Sequence, residues 1–470
     1  MMGALLATGC ADQGTGPLPM SRDPAAPAGL MARDERPDEA EMRAMAERIP
    51  GLGGYYFEGD ELVVRLKDAS RADAARSVLA RVAARGSGQI RVLPAQHTFL
   101  ELSAWRDSWW DRILDLPGVS FVDLDEAANR VVVGLAEPAA RGRVLGLLRA
   151  SGVPLTAIGF ESAGYPQSHG GEVEYAPYLT TAPTQGDSIT SFRRPLEGGL
   201  KITYRHSASQ PHLATACTMG FIAVLNGVRV GITAAHCSLS HWDGDNTSYF
   251  QAQPGAGRYF GYEHRDPNGS SCGFLSPNVC RHSDASAVAL EADVASGLGY
   301  IVRPLGPPPP EGRNAFGVRQ SSPLVDPAMP HFPITGTQVP RLDQTVHKVG
   351  ASTGWTRGKV QKTCVDMPAD RSWSKLRCQT WASYDSSRGD SGGPVFIDNG
   401  DGTVALVGLN WGIVTDGASY AVFSSIAQIE KDLGALQIIP AAVPDGPGGP
   451  DDGSGGPDDG GGNCPPSCVN

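Results

Sequence analysis

The chain has no run of about eighteen consecutive apolar residues, which excludes a conventional membrane-spanning helix. Clustered basic residues are missing too. Its 39 Lys and Arg stand against 50 Asp and Glu, a formal net charge of −11, and phosphate binding draws on grouped cations, so no nucleic-acid partner is expected. The cysteines have no matching cluster of histidines, which argues against zinc, and neither a metal nor a cofactor is expected. Beyond residue 200 helical periodicity nearly vanishes, and no histidine follows His347. What remains is a 470-residue chain, 41% hydrophobic and 19% charged, long enough for two or more folded units.

Nine cysteines fall mostly into close neighbours: Cys217 with Cys237, Cys272 with Cys280, Cys364 with Cys378, Cys464 with Cys468, and Cys10 left over. Such spacing favours disulfides and hence an extracytoplasmic compartment. Eight cysteines allow about 105 connectivities, so this pairing is an expectation.

Residues 1–10, MMGALLATGC, are similar to the end of a bacterial lipoprotein signal, with Cys10 as the candidate lipid-bearing residue and a lipid anchor as the consequence. The competing readings are an ordinary secretory signal and a run without meaning. Residues 11–52 are rich in Pro, Ala, Gly and charge and read as a linker, with a short helix around Glu39 to Ile49. Residues 53–162 then alternate strand and helix patterns. Strands are expected at Glu61 to Leu66, Thr98 to Leu102, Val119 to Leu124 and Arg130 to Gly134. Helices are expected at Arg71 to Arg85, Trp109 to Leu116 and Glu137 to Ser151. This is a compact α+β unit without visible catalytic residues. A connector, 163–193, ends in Arg193-Arg194.

From Leu200 short β-like runs separated by Gly and Pro take over, and one helical pattern, Ile426 to Leu436, closes them. The fold class is mainly β, and the length suits two barrels better than one sandwich. The Gly-, Pro- and Asp-rich tail, 443–470, cannot bury a core.

The chemistry centres on Gly389-Asp390-Ser391-Gly392-Gly393-Pro394. A serine between glycines sits on a tight turn whose N–H groups can converge on an oxyanion, and Ser391 reads as a nucleophile. The bland alternative is a surface turn. The hexapeptide also satisfies G-x-S-x-G, but the α/β-hydrolase order needs a histidine after the serine, and none is present. Histidine and acid must therefore precede Ser391. Strand Val228 to Thr233 runs into Ala234-Ala235-His236-Cys237, where a Cys217–Cys237 bridge would brace the imidazole and contribute about 3 kcal/mol. The other histidines nearby, His206, His212, His241, His264 and His282, read as structural. Asp284 precedes the apolar run Ala285 to Leu290, which would bury it as a triad acid must be buried.

Taken together, Thr233-Ala234-Ala235-His236-Cys237, Ser283-Asp284-Ala285 and Gly389-Asp390-Ser391-Gly392-Gly393-Pro394 resemble the three signature blocks of trypsin-like, chymotrypsin-fold serine proteases. The segment Lys348-Val349-Gly350-Ala351-Ser352-Thr353-Gly354 is similar to the glycine-rich barrel segment of the secreted bacterial streptogrisin and α-lytic types. The resemblance implies two six-stranded antiparallel β-barrels with a C-terminal helix over residues 194–442. It implies that residues 53–162 are a folding and inhibitory pro-region, and that the substrates are proteins or peptides. A monomer is expected.

Carried onto this chain, the resemblance makes Ser391 the nucleophile, His236 the base and Asp284 its orienting acid, with the N–H groups of Gly389 and Ser391 as the oxyanion hole. Asn410-Trp411-Gly412 matches the strand that pairs with substrate backbone, the alternative for Trp411 being a core residue. Asp385 matches the base of the primary pocket and implies a preference for Arg or Lys, with self-processing after Arg193; the alternative is a turn residue. No Ile-Val-Gly-Gly start is present, which leaves the partner of Asp390 open. A catalytically idle protease-like binding module is the rival function. A periplasmic quality-control protease would be expected to carry a peptide-binding domain after the catalytic one.

Overall fold

The computed structural model describes residues 39–439 apart from 169–170, 177, 206, 208, 274–275, 307–320, 370–373 and 417. Cys10, most of the expected linker, and Cys464 and Cys468 lie outside the described residues. Among those described, 27 strands stand against five α-helices, so the protein is mainly β. No helix is long and apolar enough to cross a membrane.

The α+β unit starts before residue 53. Helix Ala40–Arg48 buries Ala46, and Glu39 just before it meets the buried Arg106 guanidinium at 2.8 Å. Strands Leu52–Glu58 and Glu61–Leu66 form a hairpin through Gly59, whose φ of +59° suits glycine, and Ile90–Pro94 joins them in parallel. Helix Ala72–Ala83 turns Ala75, Leu79, Val82 and Ala83 inward at helical spacing.

The expected strand at Thr98 to Leu102 is instead the start of helix Phe99–Leu114. Thr98 and Glu101 cap it reciprocally: Glu101 N–H donates to Thr98 Oγ1 at 3.1 Å, and Thr98 N–H donates to Glu101 Oε2 at 2.7 Å. That capping box outweighs a short apolar alternation, and the helix absorbs the separate one expected from Trp109. The other expected elements lie where the pattern puts them, including Val119–Asp125, Arg130–Leu135 and Ala140–Ala150, whereas strands Leu52–Glu58, Ile90–Pro94 and Ile158–Ser162 have no counterpart in the expected set.

The unit is packed on the β-rich half. Val122 pairs with Asp366, and Lys362 bridges Asp123 (3.1 Å) and Glu161 (2.9 Å). Burial pushes the Asp123 carboxyl up to about 6. A cavity of about 670 Å³ lies along this seam, lined among others by Tyr55, Arg85, Asp123, Arg341 and Lys362, and no residue of the expected triad lines it.

Beyond residue 195 the strands belong mostly to two large sheets. One runs, in spatial order, Leu436–Gln437, Phe221–Leu225, Val228–Thr233, Ser286–Leu290, Tyr259–Arg265, Ser248–Gln251, Lys201–Arg205, Leu213–Thr218 and Glu172–Tyr175. The other holds Thr345–Gly350, Gly354–Pro368, Ser374–Ala382, Pro394–Asp398, Val404–Asp416 and Ala418–Ser425. The connector adds Glu172–Tyr175 to one edge of the first sheet, and the α+β unit adds Val119–Asp125, Arg130–Leu135 and Ile158–Ser162 to one edge of the second, covering edges that would otherwise be open. One continuous apolar core, including Phe221, Ile232, Val349, Leu409 and Trp411, links the two sheets. Three disulfides are formed, Cys217–Cys237, Cys272–Cys280 and Cys364–Cys378, in the expected pairing.

Candidate active site

Strand pairing brings the histidine and the acid together. Thr233, at the end of Val228–Thr233, lies opposite Ser286, at the start of Ser286–Leu290, so the segments just outside both strand ends are neighbours. There His236 Nδ1 lies 2.5 Å from Asp284 Oδ2, and the His236 backbone N–H donates to Asp284 Oδ1 at 3.1 Å. With Nδ1–H given to the carboxylate, Nε2 keeps its lone pair and accepts from Ser391 Oγ–H at 2.7 Å. His236 is 8% exposed, Asp284 1% and Ser391 0%.

The acid is held from several sides. Its own N–H donates to Ser424 Oγ at 3.1 Å. The preceding residues are anchored by Asp432 of the C-terminal helix, which accepts from Ser283 N–H at 2.7 Å and Ser283 Oγ–H at 2.8 Å. Burial by itself would push the Asp284 carboxyl up. The charge and hydrogen bond of His236, joined by His241, outweigh it and hold the group well below the usual carboxylate range.

Ser391 sits in a turn between Gly389 and Gly392, with φ of +88° and +85°. A Cβ on Gly392 would come within 2.3 Å of Thr218 O and Thr233 Oγ1, so only glycine lets this turn lie against the His236 strand. Gly389 O accepts from Thr218 Oγ1 at 2.7 Å, and Ser391 O accepts from Thr218 N–H at 2.8 Å. The open question of the Asp390 partner has an answer in Lys348: Nζ lies 2.9 Å from Asp390 Oδ2, both side chains fully buried. Thr353 Oγ1 and the N–H groups of Ser352, Thr353 and Ser387 also donate to this carboxylate, at 2.7–3.0 Å. Burial opposes the charge of Asp390, but Lys348 and Thr353 hold its carboxyl below the ordinary range.

The expected substrate strand is divided. Trp411 is 1% exposed, its Nε1–H donating to Gln379 Oε1 at 2.8 Å, and is a core residue. Asn410 is also buried: its Nδ2–H₂ donates to Ser386 Oγ and Asp390 O, and its Oδ1 accepts from Tyr384. The backbone at Gly412 is paired with the connector. Ser168 pairs with Gly412 and Gln167 with Ile413, antiparallel. A Cβ on Gly412 would stand 2.6 Å from Gln167 O. Four residues on, Glu172 pairs with Ala216, again antiparallel. The connector is thus hydrogen-bonded to two strands that each also bond the Ser391 turn, one through Thr218 and one through Asn410, whose C=O accepts from Gly392 N–H at 2.8 Å.

Asp385 is half-buried, and its C=O accepts from Thr356 Oγ1 at 2.8 Å. Arg193 donates to Gly186 O at 2.6 Å, and Arg194 bonds Gln251 and stacks on Phe192 at 4.5 Å. Burial pulls the Arg194 guanidinium down to about 10. The dibasic pair is therefore folded onto the β-rich half rather than presented as a loose loop.

Two residues missed in the sequence belong to this site. Lys348 lies in the glycine-rich segment already singled out, where an isolated Lys in an apolar strand is itself a signal of a buried partner. His241 lies with Nε2 3.4 Å from Asp284 Oδ1.

No family model matches the chain, and no curated protein matches it. Among solved structures it is similar to Protease A of Thermobifida fusca, at 16% identity over 52% of this chain and 98% of the other, with a TM-score of 0.33. A Nocardiopsis protease gives 18% identity over 52% and 98%, with a TM-score of 0.35. A glutamic-acid-specific serine protease gives 18% identity over 52% and 100%, with a TM-score of 0.34.

Proposed function

We propose that the chain is a serine endopeptidase that works through an acyl-enzyme. The observation that carries this reading is the unbroken chain of contacts Asp284–His236–Ser391, at 2.5 and 2.7 Å, buried at the junction of the two sheets. Ser391 Oγ attacks a peptide carbonyl as His236 Nε2 takes its proton, and the imidazolium then protonates the leaving amine. Asp284 stays ionised throughout and holds the tautomer. The N–H groups of Gly389 and Ser391 receive the oxyanion, where one such donor contributes about 10²–10³ in turnover. The three disulfides support an extracytoplasmic site of action. A fluorophosphonate should label Ser391 in the processed protein, read by mass spectrometry of the peptide, and Ser391→Ala should abolish labelling. Equal labelling of the variant, or none in the wild type, would favour an idle binding module.

In this reading the protein is made latent, with the α+β unit as pro-region and the connector lying in the cleft as a tethered substrate. A segment tethered at millimolar effective concentration competes strongly, so the uncut chain should react with the probe at least about tenfold more slowly. The residues joining Ser168 to Glu172 are His169, Gly170 and Gly171, none of them Arg or Lys. Self-cleavage among them goes with a primary pocket for small residues. Asp385 as a determinant for Arg or Lys goes with cleavage after Arg193. N-terminal sequencing of the incubated wild type should find a new terminus between residues 169 and 172, absent in Ser391→Ala. A terminus at Arg194 would favour the Asp385 pocket instead.

A further inference from the structure

Asp284 has two oxygens and about four acceptor positions, and the His236 side chain uses only one. Oδ2 faces His236 Nδ1; Oδ1 takes the His236 backbone N–H at 3.1 Å and has His241 Nε2 3.4 Å away. The His241 ring stands edge-on to His236, centroids 6.0 Å apart at 81°. Its Nε2 is buried and makes no hydrogen bond within the usual limits among the described residues. A buried imidazole nitrogen left without a full bond, beside a carboxylate oxygen with room for one, costs free energy unless the two serve each other.

The loop that carries His241 is built to keep it there. Ser238 Oγ donates to Ala235 O at 2.9 Å, and Leu239 N–H donates to Thr247 Oγ1 at 3.0 Å. His241 packs edge-on against Trp242, centroids 5.3 Å apart. Trp242 in turn lies under the buried Arg281 guanidinium at 5.3 Å, which is fixed by Asp266 and Ala285 O, both at 2.6 Å. Arg281 is therefore a common strut beneath the His241 loop and the segment bearing Asp284.

We infer that His241 is a positioning residue of the triad, giving Asp284 Oδ1 a second donor so that Oδ2 stays aligned with His236 Nδ1. The inference rests on the peptidase reading above. Neutral His241 in the Nε2–H tautomer orients the carboxylate. The charged groups around it are Asp284 and His236 in the triad, Asp245 on its own loop, Glu263 on the adjoining strand and Asp266 just after it, and Arg281, His282 and Asp432 beneath.

The test uses the processed enzyme with an ester or amide substrate and records kcat and KM. His241→Ala should lower kcat about tenfold, as loss of a hydrogen bond to a charged group does, with KM little changed because His241 does not reach the substrate. His241→Gln, which keeps a donor but cannot titrate, should recover most of that loss. A His241→Ala enzyme with wild-type kcat would overturn the assignment. A loss of thermal stability with a kcat that His241→Gln does not restore would do the same, leaving His241 a packing residue. Fluorophosphonate labelling of the same variants keeps the outcomes apart: an unlabelled wild type sinks the peptidase reading, whereas equal labelling rates in all three sink only the role of His241.

Discussion

His236→Ala is expected to lower the turnover of the processed enzyme by about 10⁶, close to the loss for Ser391→Ala, because the two act as one unit. Without the imidazole no other described residue within hydrogen-bond reach of Ser391 Oγ takes its proton; the 2.7 Å contact to His236 Nε2 is the route. Asp284→Asn should cost about 10⁴ for a different reason. An amide facing His236 Nδ1 can present its own N–H₂, which turns the imidazole into the other tautomer and leaves Nε2 protonated and unable to act as base. The pH dependence separates these roles. The folded-state pKa of Asp284 lies below its ordinary value, so its contribution to stability is fully present above the ordinary aspartate range, near 4, and is lost only as pH falls through the depressed value. A loss of activity on acidification from pH 7 to 5 therefore does not come from this carboxylate. Steady-state kinetics of the three variants from pH 5 to 9 check this, and a His236→Ala enzyme within about 100-fold of wild type would remove His236 from the mechanism.

Much of this site was legible because its residues sit at strand ends. Val228–Thr233 begins and ends where its alternation says it should, and the partner register, Thr233 against Ser286, follows from burying Ile232 and Ala287 together. What could not be read were features decided by partners distant in sequence. The connector strands Gln167–Ser168 and Glu172–Tyr175 are two and four residues long, too short for a periodicity, and exist because Gly412 and Ala216 offer them unpaired backbone. His241 looked like one histidine among several because its value comes from a carboxylate 43 positions away across a loop. The strand expected at Thr98 failed in the opposite direction, since a local signal, the capping box with Glu101, was present and outweighed by an apolar alternation in the reading. Trp411 was assigned to the cleft from its neighbours, but an indole whose N–H finds Gln379 in the core has no reason to leave it.

Lys348→Met should both destabilise the protein and impair catalysis, because it strands the Asp390 charge at a site with no exposure to water. Removing one partner of a buried ion pair typically costs about 3–5 kcal/mol, a large share of the roughly 5–15 kcal/mol that holds a domain together. The donors that remain, Thr353 Oγ1 and three backbone N–H groups, satisfy the oxygens of Asp390 but do not neutralise it. Relief requires Asp390 to move, and Asp390 lies between Gly389 and Ser391, whose N–H groups are the proposed oxyanion donors. Displacing one of them should lower kcat by about 10²–10³. The pair thus takes the place of an inserted N-terminus: the turn is held by a lysine of the fold itself, and its geometry does not wait for a cleavage. Lys348→Met/Asp390→Asn separates charge from shape, since the double variant removes the stranded carboxylate and should recover most of the stability lost by Lys348→Met. Urea denaturation and kcat of the two variants measure both effects. A Lys348→Met enzyme with wild-type midpoint and wild-type kcat would show that Asp390 needs no cationic partner.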